Sequence, residues 1–488
     1  MPPYNIFGGI MRFISTRGGE KVTATEAVIK GIAASGGLFV PDKLPAITQA
    51  EMDEMSEMSF PERTAKILKK FFSELDDKGL LSALNSAYSC FGGDDPAPLV
   101  RIDDGVYMLE LFHGPALSSK DMAVAALPYI LKNCCEAEEI PIVAATSGDL
   151  GKSALECFKD KDGFRVLVFY PSDGLSKMQK LQIVTQEGKN LSLVGVKGSF
   201  DDCQSAVKEA LAGGKVVTAN SINFASLAPR IAYFFSAYLD LLSSEQIENG
   251  EEIDFYIPSG NLGEVAAAYY AKLMGLPIRK IHCASNENNA LVSLAKTGVF
   301  EKSTTVDKTT SPSMDIAVPS DLERLIFELS GRDTRLTAKR MVALNSDGRF
   351  SLTENEMNKL NEIFDFGFAT EETCVEAMYD VFVDTDYVMD TCTGCAMKVA
   401  HDWYEKNKKD ETKAVIVAVN SPYKFPQDVL YAVTGNDVKD SFKGVKRLHD
   451  ATAMAVPKCI KDSRDKPIIF NKTIDKKSIP AEIEEFLK

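Results

Sequence analysis

Seven short apolar runs constrain this chain most. They are Val106–Phe112, Ile140–Ala145, Val166–Tyr170, Leu191–Val196, Ile253–Ile257, Ile278–Ala284 and Ala414–Val419. None alternates polar with apolar residues, which is how strands buried on both faces read. Amphipathic stretches such as 153–158, 205–211, 225–242 and 265–274 lie between them. Strand and helix in alternation predict an α/β fold, with doubly wound, mostly parallel sheets covered on both faces.

The rest of the chain divides around this core. Residues 11–95 read as a mainly helical N-terminal domain, with Ala27, Ile29, Ile32 and Ala33 on one helix ended by Gly36-Gly37. Residues 96–435 form the expected catalytic core of two intertwined subdomains, with a helical insertion at about 320–384 and a loop at 303–313. Residues 436–488 read as a C-terminal surface subdomain or arm.

A net charge of −15 over 488 residues argues against a broad nucleic-acid surface. No run approaches the roughly 20 apolar residues that span a bilayer. Met1–Ile10 lacks the basic-then-apolar order of a secretory signal, Met11 is a second candidate start, and ten scattered cysteines fit a reducing cytoplasm. Cys392 and Cys395 form a CxxC, but no second pair accompanies it as a zinc site would require.

Ligands of α/β sheets bind beyond the carboxyl ends of strands. Three turns fall there: Thr146-Ser147-Gly148-Asp149 with Gly151, Ser259-Gly260-Asn261-Leu262-Gly263-Glu264, and Asn420-Ser421-Pro422. A strand–glycine turn–helix gathers free N–H groups at the positive end of a helix, which suits phosphate. Neither glycine turn matches a dinucleotide or ATP motif. Each alone is better explained as a tight turn, which needs glycine anyway. Lys120, beside Asp121, is by itself indistinguishable from a surface ion pair.

In order along the chain, the motifs resemble threonine synthase, a pyridoxal-phosphate (PLP) family of fold type II. Phe13-Ile14-Ser15-Thr16-Arg17-Gly18-Gly19 resembles its STRGG segment and Gly36–Pro41 its DGGLFVP. Leu111–Pro115 with Lys120-Asp121 resembles LFHGPTxAFKD, whose lysine carries PLP. Thr146–Gly151 resembles TSGDTG, Asn220–Asn223 NSIN, Ser259–Gly263 SGNFG and Ser311–Ile316 SPSMDI.

The resemblance implies PLP on Lys120 and conversion of O-phosphohomoserine and water to threonine and phosphate. It implies cofactor contacts from Gly260, Asn261, Leu262, Gly263, Glu264, Asn420 and Ser421, and substrate contacts from Ser147, Gly148, Asp149, Ser119 and Asn220. It further implies a cytoplasmic enzyme of small phosphorylated amino acids, monomer or homodimer, with no nucleic-acid or membrane partner.

Three departures leave the substrate open. Ser118-Ser119 replaces Ala-Phe before the lysine, Cys392 stands at the histidine of DPHTAVG, and Val419 stands at the threonine expected near the pyridine nitrogen. Val419 has no hydroxyl to offer. A related lyase or replacement enzyme using O-phosphoserine, as cysteate synthase does, is the alternative; a non-catalytic homologue is a third reading. For the substrate phosphate, Arg12, Arg17, Lys177, Gln182 and Arg230 are candidates, each expected at the surface.

Overall fold

Each of the seven runs forms a strand in the computed structural model, which describes residues 11–19 and 21–488. The segment Met1–Ile10, with its targeting reading, lies outside the described residues. The strands are β1 (Arg12–Ser15), β2 (Val22–Thr23), β3 (Phe39–Pro41), β4 (Leu99–Asp103), β5 (Val106–Glu110), β6 (Ile140–Ala145), β7 (Phe164–Pro171) and β8 (Leu191–Lys197). They continue as β9 (Ile253–Pro258), β10 (Ile278–Ser285), β11 (Val299–Glu301), β12 (Arg349–Ser351), β13 (Phe364–Phe368), β14 (Ala414–Ala418) and β15 (Thr473–Asp475).

Two sheets frame the molecule. One has six strands in the order β13-β10-β9-β14-β5-β4, parallel except for the β4–β5 hairpin edge. The other has four parallel strands in the order β15-β8-β7-β6. β9 and β14 are buried at every residue, so their apolar runs carry no polar alternation. The helix Phe224–Ser243 is buried along nearly its whole length, as expected of a helix that is apolar all round. Asn223 starts it by accepting the Ala225 N–H at 3.1 Å.

Four details differ from the sequence reading. The helix expected to reach Gly36-Gly37 is Ala24–Lys30 and stops at Gly31, whose φ of +64° ends the helical path. Residues 12–41 also supply an antiparallel sheet, β2-β1-β3, beside the helices. The stretch read as a helical insertion contains β12 and β13, and β13 is the edge strand of the large sheet. The C-terminal segment read as an arm supplies β15, which pairs with β8 at the edge of the four-stranded sheet.

Candidate active site

The cavity lies where the two sheets turn their strand ends toward each other, as the rule for open α/β sheets requires. Beyond β5 and β14 the chain stays paired. Ser119 donates its N–H to Val419 O at 2.8 Å, and Ser421 donates to Leu117 O at 3.1 Å. This short pairing carries Lys120, at the start of the helix Lys120–Val124, into the cavity beside Asn420.

Lys120, Ser119, Gly260, Asn261, Glu264 and Asn420 share its wall. From the facing sheet come Ser147, Asp149 and Asn220. Gly148, Leu262 and Gly263 contribute turn backbone next to it: Gly148 has φ +126°, and Leu262 sits left-handed at φ +62°. Ser421 is a correction. Its hydroxyl accepts the Tyr423 N–H at 3.4 Å and the residue lines a neighbouring cavity with Phe112 and His113. Asn220 lines the cavity and also braces the end of β6, its amide donating to the Ala145 carbonyl at 2.8 Å and accepting the Ala145 N–H at 3.0 Å.

Glu264 is the electrostatic centre. Its Oε1 accepts from Lys120 Nζ at 2.5 Å, Ser119 Oγ at 2.9 Å and Arg230 Nη1 at 2.9 Å. Burial pushes the Glu264 carboxyl up, but the Arg230 and Lys120 charges outweigh it and hold it down at about 2. For Lys120, burial lowers the amine pKa more than Glu264 raises it, and Arg230 lowers it further. An amine so placed gives up its proton readily, as a carbonyl-attacking lysine must.

Asp149 is held differently. Its Oδ1 accepts from the fully buried Lys424 Nζ and from Gln179 Nε2 at 2.8 Å, and its Oδ2 from Ser313 Oγ at 2.7 Å. Burial raises its pKa, Lys424, Gln179 and Ser313 together lower it more, and the net is a carboxylate below its ordinary value. The sequence reading did not single out Lys424, Gln179 or Ser313. The segment Val419–Phe425, which resembles the family's TAHPAKF, was the available signal for Lys424. Arg230, expected at the surface, is 1% exposed and lines the cavity.

Cys392 also lines the cavity, and burial followed by the nearby Asp390 pushes its thiol well up, so it stays protonated. Cys395 Sγ instead meets Cys374 Sγ at 3.8 Å. The two thiols of the CxxC thus have different surroundings.

The donor set fits PLP. A low-pKa lysine opens onto the cavity, a glycine turn precedes the helix Gly263–Leu273, and the buried Asn420 Oδ1 has no partner among the described residues. Residues 12–88 match the family described as threonine synthase N terminus, and residues 93–351 the family described as pyridoxal-phosphate dependent enzyme. Threonine synthase of Pseudomonas aeruginosa is 31% identical over 435 residues, covering 87% of this chain and 91% of that one.

The chain belongs to the threonine synthase family. The PLP-bound threonine synthase of Brucella melitensis superposes with a TM-score of 0.84 at 29% identity, over 98% of this chain and 99% of that one. Yeast threonine synthase gives 0.84 at 28%, covering 98% of each chain. The cofactor of this threonine synthase family member is PLP, and its fold is type II. Human threonine synthase-like 1 is 33% identical over 482 residues, or 90% of this chain. The chain spans 64% of that relative's length. Among the described residues, no helix is long and apolar enough to cross a membrane.

Proposed function

We propose that the protein is a threonine synthase that converts O-phospho-L-homoserine and water to L-threonine and phosphate, with PLP carried on Lys120. The observation behind this is the half-buried, charge-coupled Lys120 amine within a cavity walled by both sheets. Bound PLP supplies an electron sink for carbanions next to the amino-bearing carbon. Phosphate leaves the γ carbon and water adds at the β carbon. Lys120 Nζ takes and returns the protons at the α, β and γ carbons.

Backbone N–H groups of Gly260, Asn261 and Glu264 would hold the cofactor phosphate, while Leu262 and Gly263, whose N–H groups donate to Ser259 O at 2.6 Å and Asn261 Oδ1 at 3.2 Å, would shape the turn; Asn420 would face the ring. Ser147, whose hydroxyl makes no hydrogen bond among the described residues, would take the substrate carboxylate with the N–H of Asp149, while Gly148, whose N–H donates to Thr146 Oγ1 at 2.9 Å, would keep the turn open beside it. Ser119 would act there too, although its hydroxyl is engaged by Glu264. In this reading the enzyme is cytoplasmic, a monomer or homodimer, and works on a small phosphorylated amino acid without nucleic-acid or membrane partners.

A second reading keeps the PLP site and changes the substrate to O-phosphoserine or a relative. It is favoured by the Asn420 Nδ2–Cys392 Sγ contact at 3.8 Å, which fills one wall with residues the family does not place there.

The test is phosphate release from both compounds by the purified yellow protein. Stoichiometric phosphate and threonine from O-phosphohomoserine supports the first reading. Release from O-phosphoserine alone replaces it with the second, and release from neither leaves a non-catalytic PLP-binding homologue. Lys120→Ala is expected to abolish the visible absorbance; an unchanged band would place the cofactor linkage on another residue.

A further inference from the structure

Arg230 carries an inference that the family resemblance does not supply. It lies on the helix Phe224–Ser243, is 1% exposed, and reaches the turn that starts the helix Gly263–Leu273. The approach is close: a Cβ on Gly263 would stand 2.5 Å from Arg230 Nη1. Nη1 donates to Glu264 Oε1 at 2.9 Å and Nε to Ser226 O at 3.2 Å. Nη2 has no partner among the described residues and is not sealed from the cavity.

Lys120 and Arg230 face one carboxylate, Glu264, while Asp149 is already matched by Lys424. Whenever Lys120 carries its proton, one positive charge is left over at the cavity wall, where an unmatched charge is costly. A helix start adds to it, because the first-turn N–H groups of Glu264 and Val265 have no intrahelical acceptor. A guanidinium fork with a free edge next to a helix start is a phosphate-binding arrangement.

We propose that Arg230 binds the phosphate of PLP, adding a charged side chain to the backbone cradle of the 260–264 turn. This rests on the placement of the cofactor phosphate at that turn and not on which amino acid is the substrate. It makes phosphate a large part of cofactor affinity. The guanidinium also holds Glu264 in place from behind, so Glu264 Oε1 stays directed at Lys120 Nζ.

The experiment compares PLP with pyridoxal, which lacks the phosphate, by titrating cofactor-free protein and following visible absorbance. Wild type, Arg230→Gln and Arg230→Lys are compared, with circular dichroism as the check on folding. Arg230→Gln is expected to weaken PLP by about tenfold to a hundredfold, the range for a charge-assisted contact, and to leave pyridoxal nearly unchanged. Arg230→Lys is expected to fall between.

An equal loss for both compounds, or an unchanged PLP-to-pyridoxal ratio, overturns the proposal. An unchanged ratio with a raised KM for the phosphorylated substrate assigns Arg230 to the substrate instead. If neither variant folds, Gly263→Ala decides, because its methyl would displace the Arg230 guanidinium without removing it: PLP must weaken relative to pyridoxal. Absence of that difference also overturns the proposal.

Discussion

Asn420 Nδ2 lies 3.8 Å from Cys392 Sγ, and the other end of the same amide, Oδ1, is buried without a partner among the described residues. A thiol is a weak acceptor, so this amide is poorly used within the chain itself. Replacing an unsatisfied polar group costs little. Asn420→Ala is therefore expected to change unfolding free energy by less than about 1 kcal/mol and to lower cofactor or substrate affinity several-fold. Urea unfolding with a parallel PLP titration checks it. A large stability loss with unchanged affinity would show that Asn420 serves the fold alone.

Lys424 and Asp149 are separated by 275 residues and both are buried. Removing one partner of such a pair strands the other's charge, at about 3–5 kcal/mol. Lys424→Met is expected to lower stability by that amount, and Lys424→Met with Asp149→Asn to recover part of it. A double-mutant cycle on denaturant midpoints measures the coupling. A single-variant cost below about 1 kcal/mol would remove the pair from the account of stability.

Glu264 titrates at about 2 in the folded chain against an ordinary 4.5, held down by Arg230 and Lys120 against the upward effect of burial. A depressed carboxyl binds fewer protons folded than unfolded between those values. Its stabilising contribution is complete above about 4.5 and is lost as pH falls toward 2. At neutral pH, Glu264→Gln is expected to destabilise the protein, because Lys120 and Arg230 lose their shared anion. The gap between wild type and variant should narrow as the pH of the unfolding experiment drops below 4.5. A gap that stays constant down to acid pH refutes this account.

Gly263→Ala tests the Arg230 cradle from the other side. The added methyl would meet Nη1 at 2.5 Å and push the guanidinium off the turn. The backbone there is not left-handed, so the helix itself tolerates alanine. PLP affinity is expected to fall about tenfold, the lower range for a charge-assisted contact, with secondary structure unchanged by circular dichroism. Wild-type affinity in this variant would count against the cradle.

Seven of the ten strands in the two large sheets were legible, because burial on both faces writes a continuous apolar run; β4 and β15, more exposed edge strands, were not. β13 was not: Asp365 interrupts it, and Gly367 faces Val399 closely where a side chain would not fit. β1, β2 and β3 are too short to show a period. At the site, the turns and Lys120 were legible as motifs in order. The Lys424–Asp149 pair was not, since two ordinary charged residues so far apart in sequence carry no mark of their contact. Arg230 reads from sequence as a surface residue, because arginine is seldom buried unless paired, and nothing in the sequence marks Glu264, 34 residues away, as its partner.

The position of β14 sets an order of events during synthesis. It lies between β5 and β9 in the large sheet, yet about three hundred residues separate it from β5 in the chain. As the chain leaves the ribosome, β5 and β9 emerge long before the strand that joins them. The nascent protein must therefore hold two sheet edges apart, exposed to self-association, until residue 418 is out. Truncations ending before that residue would be expected to aggregate or recruit chaperones, and those ending after it to acquire protease resistance abruptly.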